Sequence, residues 1–415
     1  MNDTRNDRPL RLALILAAFS ALGPFTVDMY LPALPEIMND YGTNASTIQV
    51  SLTASLLGLG LGQMVMGPLS DSYGRRNPLM IAMVLYILSS IGCAVAPNVE
   101  TFILLRFIQG GAASAGLVIA RAIARDRYSG VEMTKFISLL TMISNVAPLL
   151  SPNAGSAVTA YASWSGVFVF LGLLGILLTV ITTRGLEESL PPAKRVPSSL
   201  GAFMRNYNHL LRDRTFMGYA LVNGILFAGI FAFVAATPFI YQNIFGVSPQ
   251  VFSILFAMNG LAIMIGSQIV KRAAGRLFEP LILRLGLTLS VIATSAILIA
   301  VLANGSLATI VGSTFLFAVS IGMIGPVCVT LAMESHGQHA GSASAILGTL
   351  QFSLGAVISP LVGIAGEHSA LPFGVVIFAT SVLAFAAYVL LIRKARTRSG
   401  GFKNADTKPY FEQGD

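Results

Sequence analysis

An alternation along the chain constrains its fold more than any other feature. Twelve apolar stretches run at roughly 10–35, 47–69, 78–96, 99–124, 132–159, 164–183, 214–241, 250–271, 281–302, 307–333, 340–365 and 372–394. Each is long enough for a helix of ~20 residues to cross a bilayer. The connections 36–46, 97–98, 160–163, 242–249, 303–306 and 366–371 hold no Lys or Arg. Of the 26 Lys and Arg, all but Arg106 read as lying at or beyond the opposite helix ends. This one-sided placement follows the positive-inside rule and predicts twelve spans with both termini in the cytoplasm.

Composition excludes a water-soluble globule. Hydrophobic residues make up 54% of the chain and charged ones only 11%, against a usual charged share near ~25%. The net charge of +8 gathers on one side of the spans, so it reports membrane topology rather than nucleic-acid binding. Arg5, Arg8 and Arg11 lead into the first apolar run with no A-x-A-like cleavage site, so that segment reads as an anchor. Cys93 and Cys328 fall in apolar runs and build no disulfide framework.

One connection, Arg184–Arg212, is long, polar and proline-bearing (Pro191, Pro192, Pro197). It splits the spans six and six, the pattern of parallel-repeat transporters. The expected fold is an all-α membrane protein of two six-helix bundles related by pseudo-two-fold symmetry. The bundles occupy 1–183 and 213–395, with a central cytoplasmic loop at 184–212 and a cytoplasmic tail at 396–415. A shift of 204 residues places Gly42 on Gly246 and Gly62 on Gly266, and Asp28 on Ala232. The acidic feature therefore belongs to the first half alone.

Asp28 lies in GPFTVDMYLPALP (Gly23–Pro35), the one carboxylate clearly inside a span. A charge in hydrocarbon costs at least ~2.5 kcal/mol and marks function by default; solvation at the outer headgroups is the bland alternative. The prolines around it (Pro24, Pro32, Pro35) need neighbouring protein or a wet cavity to satisfy freed carbonyls. Arg106 is the one basic residue read within a span, about 10 Å deep at ~1.5 Å per residue. Asp28 lies at a similar depth, so the two are expected to pair, directly or through water, for transport or as a structural salt bridge. Arg106, Gln109, Gly110 and Ala113 share a helical face.

After the second span the chain reads Gly67-Pro68-Leu69-Ser70-Asp71-Ser72-Tyr73-Gly74-Arg75-Arg76. Gly67 and Gly74 permit a tight reversal, and the arginines hold the loop inside. This loop resembles the signature of the major facilitator superfamily, G-x-L-a-D-x-x-G-R-R, at Gly67, Leu69, Asp71, Gly74, Arg75 and Arg76. The resemblance implies gating roles for Gly67, Asp71, Gly74, Arg75 and Arg76, and for Asp126 at the end of span four. DMYLPALP in span one, RFIQGG in span four and ARAIARDRY at its end further resemble the Bcr/CflA branch of drug–proton antiporters. That branch implies a proton-coupling and drug-recognition site at Asp28 and Arg106, in a bacterial inner membrane. Span five, SNVAPLLSPNAGSAV, resembles the antiporter helix bend, with Pro148, Pro152 and Gly155 as hinge. It departs from the pattern at Gly155-Ser156 and at Ser163-Trp164-Ser165.

Substrate-lining positions are expected at Asp28, Arg106, Asn145, Asn223, Phe231 and Gln351. Span seven is aromatic, with Phe227, Phe231, Phe233, Phe239 and Tyr241 around Asn223, a wall suited to flat apolar or cationic solutes. Gly58 and Gly62 in span two, and Gly341, Gly348 and Gly355 in span eleven, are small-residue stripes for close packing. In the resembled fold these two spans meet across the halves. No G-x-x-x-x-G-K-[ST] provides an ATP site. His336 and His339 near Glu334 read as loop rather than metal ligands, and no catalytic cluster marks an enzyme.

The expectation is a monomeric exporter of hydrophobic or amphipathic drug-like solutes. It is driven by exchange for protons, without cofactor, metal or nucleic-acid partner. Desolvation favours a protonated acid and a nearby cation an ionised one, so proton and drug can compete at Asp28. Transport of a sugar or amino acid on the same fold, and a non-transporting scaffold or intramembrane enzyme, are the rival readings.

Overall fold

The computed structural model describes residues 7–128, 146–195, 208, 210–273, 276–333, 340–364, 366 and 369–393. The apolar stretches form α1 (Asp7–Asp28), α2 (Ala45–Tyr73), α3 (Arg76–Ala94), α4 (Val99–Arg127), α5 (146–159), α6 (Ser165–Gly185), α7 (Arg214–Phe239), α8 (Pro249–Ala273), α9 (Glu279–Leu302), α10 (Leu307–Met333), α11 (Ala340–Ile358) and α12 (Leu371–Ala387). Eleven helices among the described residues are long and apolar enough to cross a membrane. The remaining expected span is the fifth; its stretch 132–145 lies outside the described residues. Two ends of the assembly are distinguished below by their connections, one basic and one neutral.

Local sequence sets several helix boundaries. The backbone N–H groups of Thr47 and Thr101 donate to Asn44 Oδ1 (2.9 Å) and Asn98 Oδ1 (2.8 Å), capping α2 and α4 at the neutral end. Asp213 accepts from the N–H groups of Thr215 and Phe216 at 2.7 and 3.1 Å and caps α7. Beyond α1 the chain passes through a 3-10 turn (Leu31–Ala33) into a short helix (Leu34–Asp40). Pro32 and Pro35 occupy their first turns, where a missing N–H removes no helical bond. The prolines of this stretch start short helices rather than break one.

The halves repeat one another at the positions the 204-residue shift selects. Gly42 and Gly246 both turn the chain with positive φ, +58° and +67°. Gly62 lets α2 cross α4 so closely that a Cβ there would strike Ser114 Oγ. A Cβ at Gly266 of α8 would strike the Val319 carbonyl of α10. Exposed apolar side chains fall on α3 (Ile81, Leu88), α6 (Leu173, Leu177), α8 (Ile254, Leu261), α9 (Ile292, Ile299) and α12 (Val375, Leu383), whereas α7 and α10 are mostly buried.

Two expectations are corrected by the packing. The Gly58/Gly62 stripe does not face span eleven but packs on Phe107 and Gly111 of α4. Residues two apart stand on opposite sides of a helix, so it is Gly60 that meets α11, where a Cβ would lie 3.2 Å from Phe352 Cβ. Nor is Arg106 the one basic residue within a span: α4 runs on to Arg127, so Arg121 also lies inside it.

The bundles are joined mainly toward the neutral end. Gln49 Nε2 donates to the Ala235 carbonyl (3.1 Å), Thr53 Oγ1 to Ala356 (2.9 Å) and Gln242 Nε2 to Pro32 (3.2 Å). Ser253 Oγ donates to the Pro152 carbonyl at 3.0 Å. Near mid-helix, Thr349 Oγ1 reaches the Gly60 carbonyl at 3.4 Å.

Candidate functional site

Arg106 stands seven residues into α4, fully buried. Nη1 donates to Gln109 Oε1 at 2.6 Å, one turn along the same face, and Nη2 to the Thr26 carbonyl of α1 at 2.9 Å. The guanidinium lies over the Tyr30 ring, 4.1 Å from its centroid, and 5.5 Å from that of Phe168. Charge-assisted bonds and aromatic faces therefore replace a carboxylate partner. Gln109 Nε2 in turn donates to Ser90 Oγ (2.8 Å), and Ser90 Oγ to the Tyr86 carbonyl (2.7 Å). The hydroxyls of Thr26 and Tyr86 lie 2.9 Å apart, and those of Tyr30 and Ser51 3.2 Å apart. Arg106 Nε alone has no partner.

Asp28 is not part of this cluster. It is 7% exposed, and no described side chain hydrogen-bonds or ion-pairs with its carboxylate. The expected pair with Arg106 is absent for a geometric reason. Thr26, in the last turn of α1, and Tyr30, four residues on in the turn that follows, both lie against Arg106 of α4, and Asp28, two residues from each, stands on the opposite side. Scarcity of charge was enough to single out both residues, whereas their partners depend on which way each faces. The signal for the cluster lay in hydroxyl-bearing positions four apart, Thr26/Tyr30 and Tyr86/Ser90.

The remaining expected positions are scattered. Gly155 of α5 packs directly on the Met29 carbonyl, next to Asp28. Pro148 and Pro152 lie in the same helix, and the Pro152 carbonyl reaches the second bundle through Ser253. Asn145 lies outside the described residues. Asn223 of α7 is fully buried, and both its amide oxygen and nitrogen lack a partner. Phe231 packs on Phe352 with ring centroids 5.7 Å apart, and Gln351 of α11 is half-buried.

At the basic end, loop residues converge on Arg75, which is 3% exposed. It donates from Nε to Asp126 (2.8 Å) and from Nη1 to Asp71 (2.5 Å) and Ser70 (2.8 Å). Burial alone would lower its pKa, but the two carboxylates outweigh that and hold it raised. Asp71 remains about half exposed, and Gly67 is half-buried against Val118. Arg76 donates from Nη2 to the Thr183 carbonyl at 2.9 Å.

Glu188 was missed by the sequence reading. Its Oε1 accepts from the Arg75 and Leu190 N–H groups (both 2.9 Å) and its Oε2 from Arg76 N–H (3.1 Å), capping α3 from a distant segment. Burial pushes this carboxyl up, yet the three backbone donors and Arg195 together leave it below the usual value. Gly74, at φ +89°, is what admits it: a Cβ there would lie 2.5 Å from Glu188 Oε2. Ser189 completes the contact by donating to Asp126 Oδ2 at 3.0 Å.

Two repeated helical bundles, joined chiefly where α2 packs on α11, form the framework of a membrane transporter. The chain belongs to the Major Facilitator Superfamily, whose model matches residues 14–360. It is 47% identical over 395 residues to an uncharacterized MFS-type transporter of Bacillus subtilis, covering 95% of this chain and 98% of that protein. A bicyclomycin resistance protein homologue of Haemophilus influenzae is 29% identical over 379 residues, 91% of this chain and 95% of that one. The resemblance to the Bcr/CflA drug-efflux branch therefore holds. In fold, the chain superposes on a bacterial homologue of the human lysosomal transporter Spinster with a TM-score of 0.75 at 16% identity, covering 96% and 99% of the two chains. The protein is an integral, multi-pass membrane protein that moves small solutes.

Proposed function

We propose that this transporter exports hydrophobic, drug-like solutes from the cytoplasm in exchange for protons, as a monomer in a bacterial inner membrane. The basic end and both termini face the cytoplasm, following the positive-inside rule. The neutral end, where the bundles are hydrogen-bonded, is then the sealed outer side, and the conformation described is the one that takes up solute from within.

The observation that carries this reading is Asp28, a carboxylate within the helices that no described cation neutralises. It stands on the side of α1 away from the first bundle's polar cluster, next to the α1–α5 contact at Gly155. A group so placed can hold a proton from one side of the membrane and release it as solute arrives from the other. Arg106 has a different part. Its bonds to Thr26 and Gln109 fix α4 against α1, so it shapes the wall beside Asp28 instead of trading charge with it. Pro148, Pro152 and Gly155 let α5 bend as the bundles rock. Asn223, Phe231 and Gln351 supply the opposite wall, and the Arg75–Asp71–Asp126 cluster is the cytoplasmic gate.

The test is a proteoliposome assay with a pH-sensitive dye inside and chloramphenicol, a cationic dye or a sugar added. Wild type should couple drug movement to proton movement, and Asp28→Asn should abolish the coupling. Proton movement with the sugar alone would replace the drug reading by metabolite transport.

A further inference from the structure

Arg121 lies on α4 six residues before its last residue, Arg127, about 9 Å inside the basic end at ~1.5 Å per residue. An unpaired guanidinium at that depth calls for a wet, functional setting. Arg121 is exposed, and it has no hydrogen bond or ion pair to any described residue. The nearby acids at this end, Asp71 and Asp126, are already held by Arg75.

The packing of α4 fixes where Arg121 points. α3 covers the face carrying Leu105 and Gln109, and at ~100° per residue Arg121 is turned about 160° from Leu105. α1 meets α4 at Leu117 through Gly23, and α2 meets it at Val118 through Gly67. Arg121, one turn beyond both, emerges between α1 and α2. Each of these helices also joins the second bundle, α1 through Pro32 in its extension and α2 through Gln49 and Thr53. α2 also packs on α11 of the second bundle at Gly60, nearer mid-helix, so Arg121 emerges beside a helix of the bundle interface and away from α3.

We propose that Arg121 is an anion-recognition point on the cytoplasmic route to the site, holding the carboxylate, sulfonate or phosphate group of an amphipathic solute. This rests on the export reading above and names a solute class within it: hydrophobic anions alongside neutral compounds. The charges within the described helices favour it. Arg106 is buried and bonded to Gln109 and the Thr26 carbonyl, and Asp71 and Asp126 are held by Arg75, so no described acid offsets the charge of Arg121, and an unoffset positive charge concentrates anions. A guanidinium also offers two parallel donors to such a group.

The test compares two ligands of one skeleton, 1-anilinonaphthalene-8-sulfonate and the uncharged N-phenyl-1-naphthylamine, on detergent-purified full-length protein. R121Q should weaken sulfonate binding by about tenfold or more and leave the neutral compound unchanged, while R121K should stay within about threefold of wild type. Equal sulfonate affinity in wild type and R121Q overturns the proposal. So does loss of sulfonate and neutral binding together in both variants, which marks Arg121 as structural. In vesicles, suppression of sulfonate binding by added phosphatidylglycerol, in wild type and not in R121Q, would assign the site to lipid phosphate and overturn the solute assignment. Chloramphenicol-driven proton movement in wild type separates the two levels. Its absence defeats the export reading; its presence with no sulfonate preference defeats only this inference.

Discussion

Seven residues into its fourth helix the first bundle buries Arg106 beneath Tyr30, and seven residues into its own fourth helix the second bundle buries Thr314 beside Tyr241. The backbone plan is shared, down to the positive-φ turns at Gly42 and Gly246 and the tight crossings at Gly62 and Gly266. The polar content is not. In the first bundle a cation is tied to α1 and α3 by a chain of bonds through Gln109, Ser90, Thr26 and Tyr86. In the second, Thr314 Oγ1 and Tyr241 OH stand 3.5 Å apart, and Asn223 is buried with no partner at all. The first bundle's cation is held by bonds on both of its terminal nitrogens, with Nε left over; the second holds an amide with neither end bonded. The shared framework supplies the rocking halves, and the division of polar groups supplies the work.

The largest expected effect breaks the comparison at its strongest point. Arg106→Lys should reduce transport by about tenfold or more, because a lysine cannot reach Gln109 and the Thr26 carbonyl together with the same fork geometry. Thr314→Val at the matching place should change transport less than about threefold, its hydroxyl bond being worth only ~1 kcal/mol. Transport rates in vesicles decide; equal losses would mean the bundles are not functionally divided.

Next come the crossings that the halves share. Gly62→Leu and Gly266→Leu should each destabilise the protein by about 1–3 kcal/mol or more, since overpacking forces backbone apart. Melting temperatures in detergent should fall for both variants, and a fall in one only would contradict the repeat.

The tether at Glu188 has no counterpart described in the second bundle and should show itself through pH. Its carboxyl lies below the usual value when folded, so its stabilising effect is complete above the ordinary carboxylate pKa of ~4.3 and fades as pH falls through the folded value. Wild type should melt higher than Glu188→Gln at neutral pH, and the two curves should converge in acid below that value. A difference that persists unchanged in acid would assign the effect to packing.

The smallest effect concerns Asn223. An unpartnered buried amide costs about 1–3 kcal/mol, so Asn223→Leu should leave thermal stability unchanged or raised while weakening drug binding. Lower stability with unaltered binding would remove Asn223 from the solute wall.

Much of this architecture was legible because hydropathy and the siting of arginines act over whole segments. The twelve stretches, the six-and-six division and the Gly42/Gly246 repeat all rest on such long patterns. Asp28 and Arg106 stood out because charge is scarce in the spans. Their separation was less visible, since it depends on the helical face each occupies, and Arg121 read as lying at the end of its apolar run, whereas α4 continues six residues beyond that arginine. Glu188 could not be found locally: its partners at Arg75 and Arg76 are more than a hundred residues away, and only the folded chain brings them together.

The central claim is that Asp28, with no cation beside it among the described residues, exchanges a proton against drug. The most direct measurement is proton release on adding chloramphenicol to purified protein in weakly buffered detergent, for wild type, Asp28→Asn and Arg106→Lys. The account predicts release from wild type, none from Asp28→Asn, and release with reduced drug affinity from Arg106→Lys. Undiminished release from Asp28→Asn would contradict it and move the proton site elsewhere.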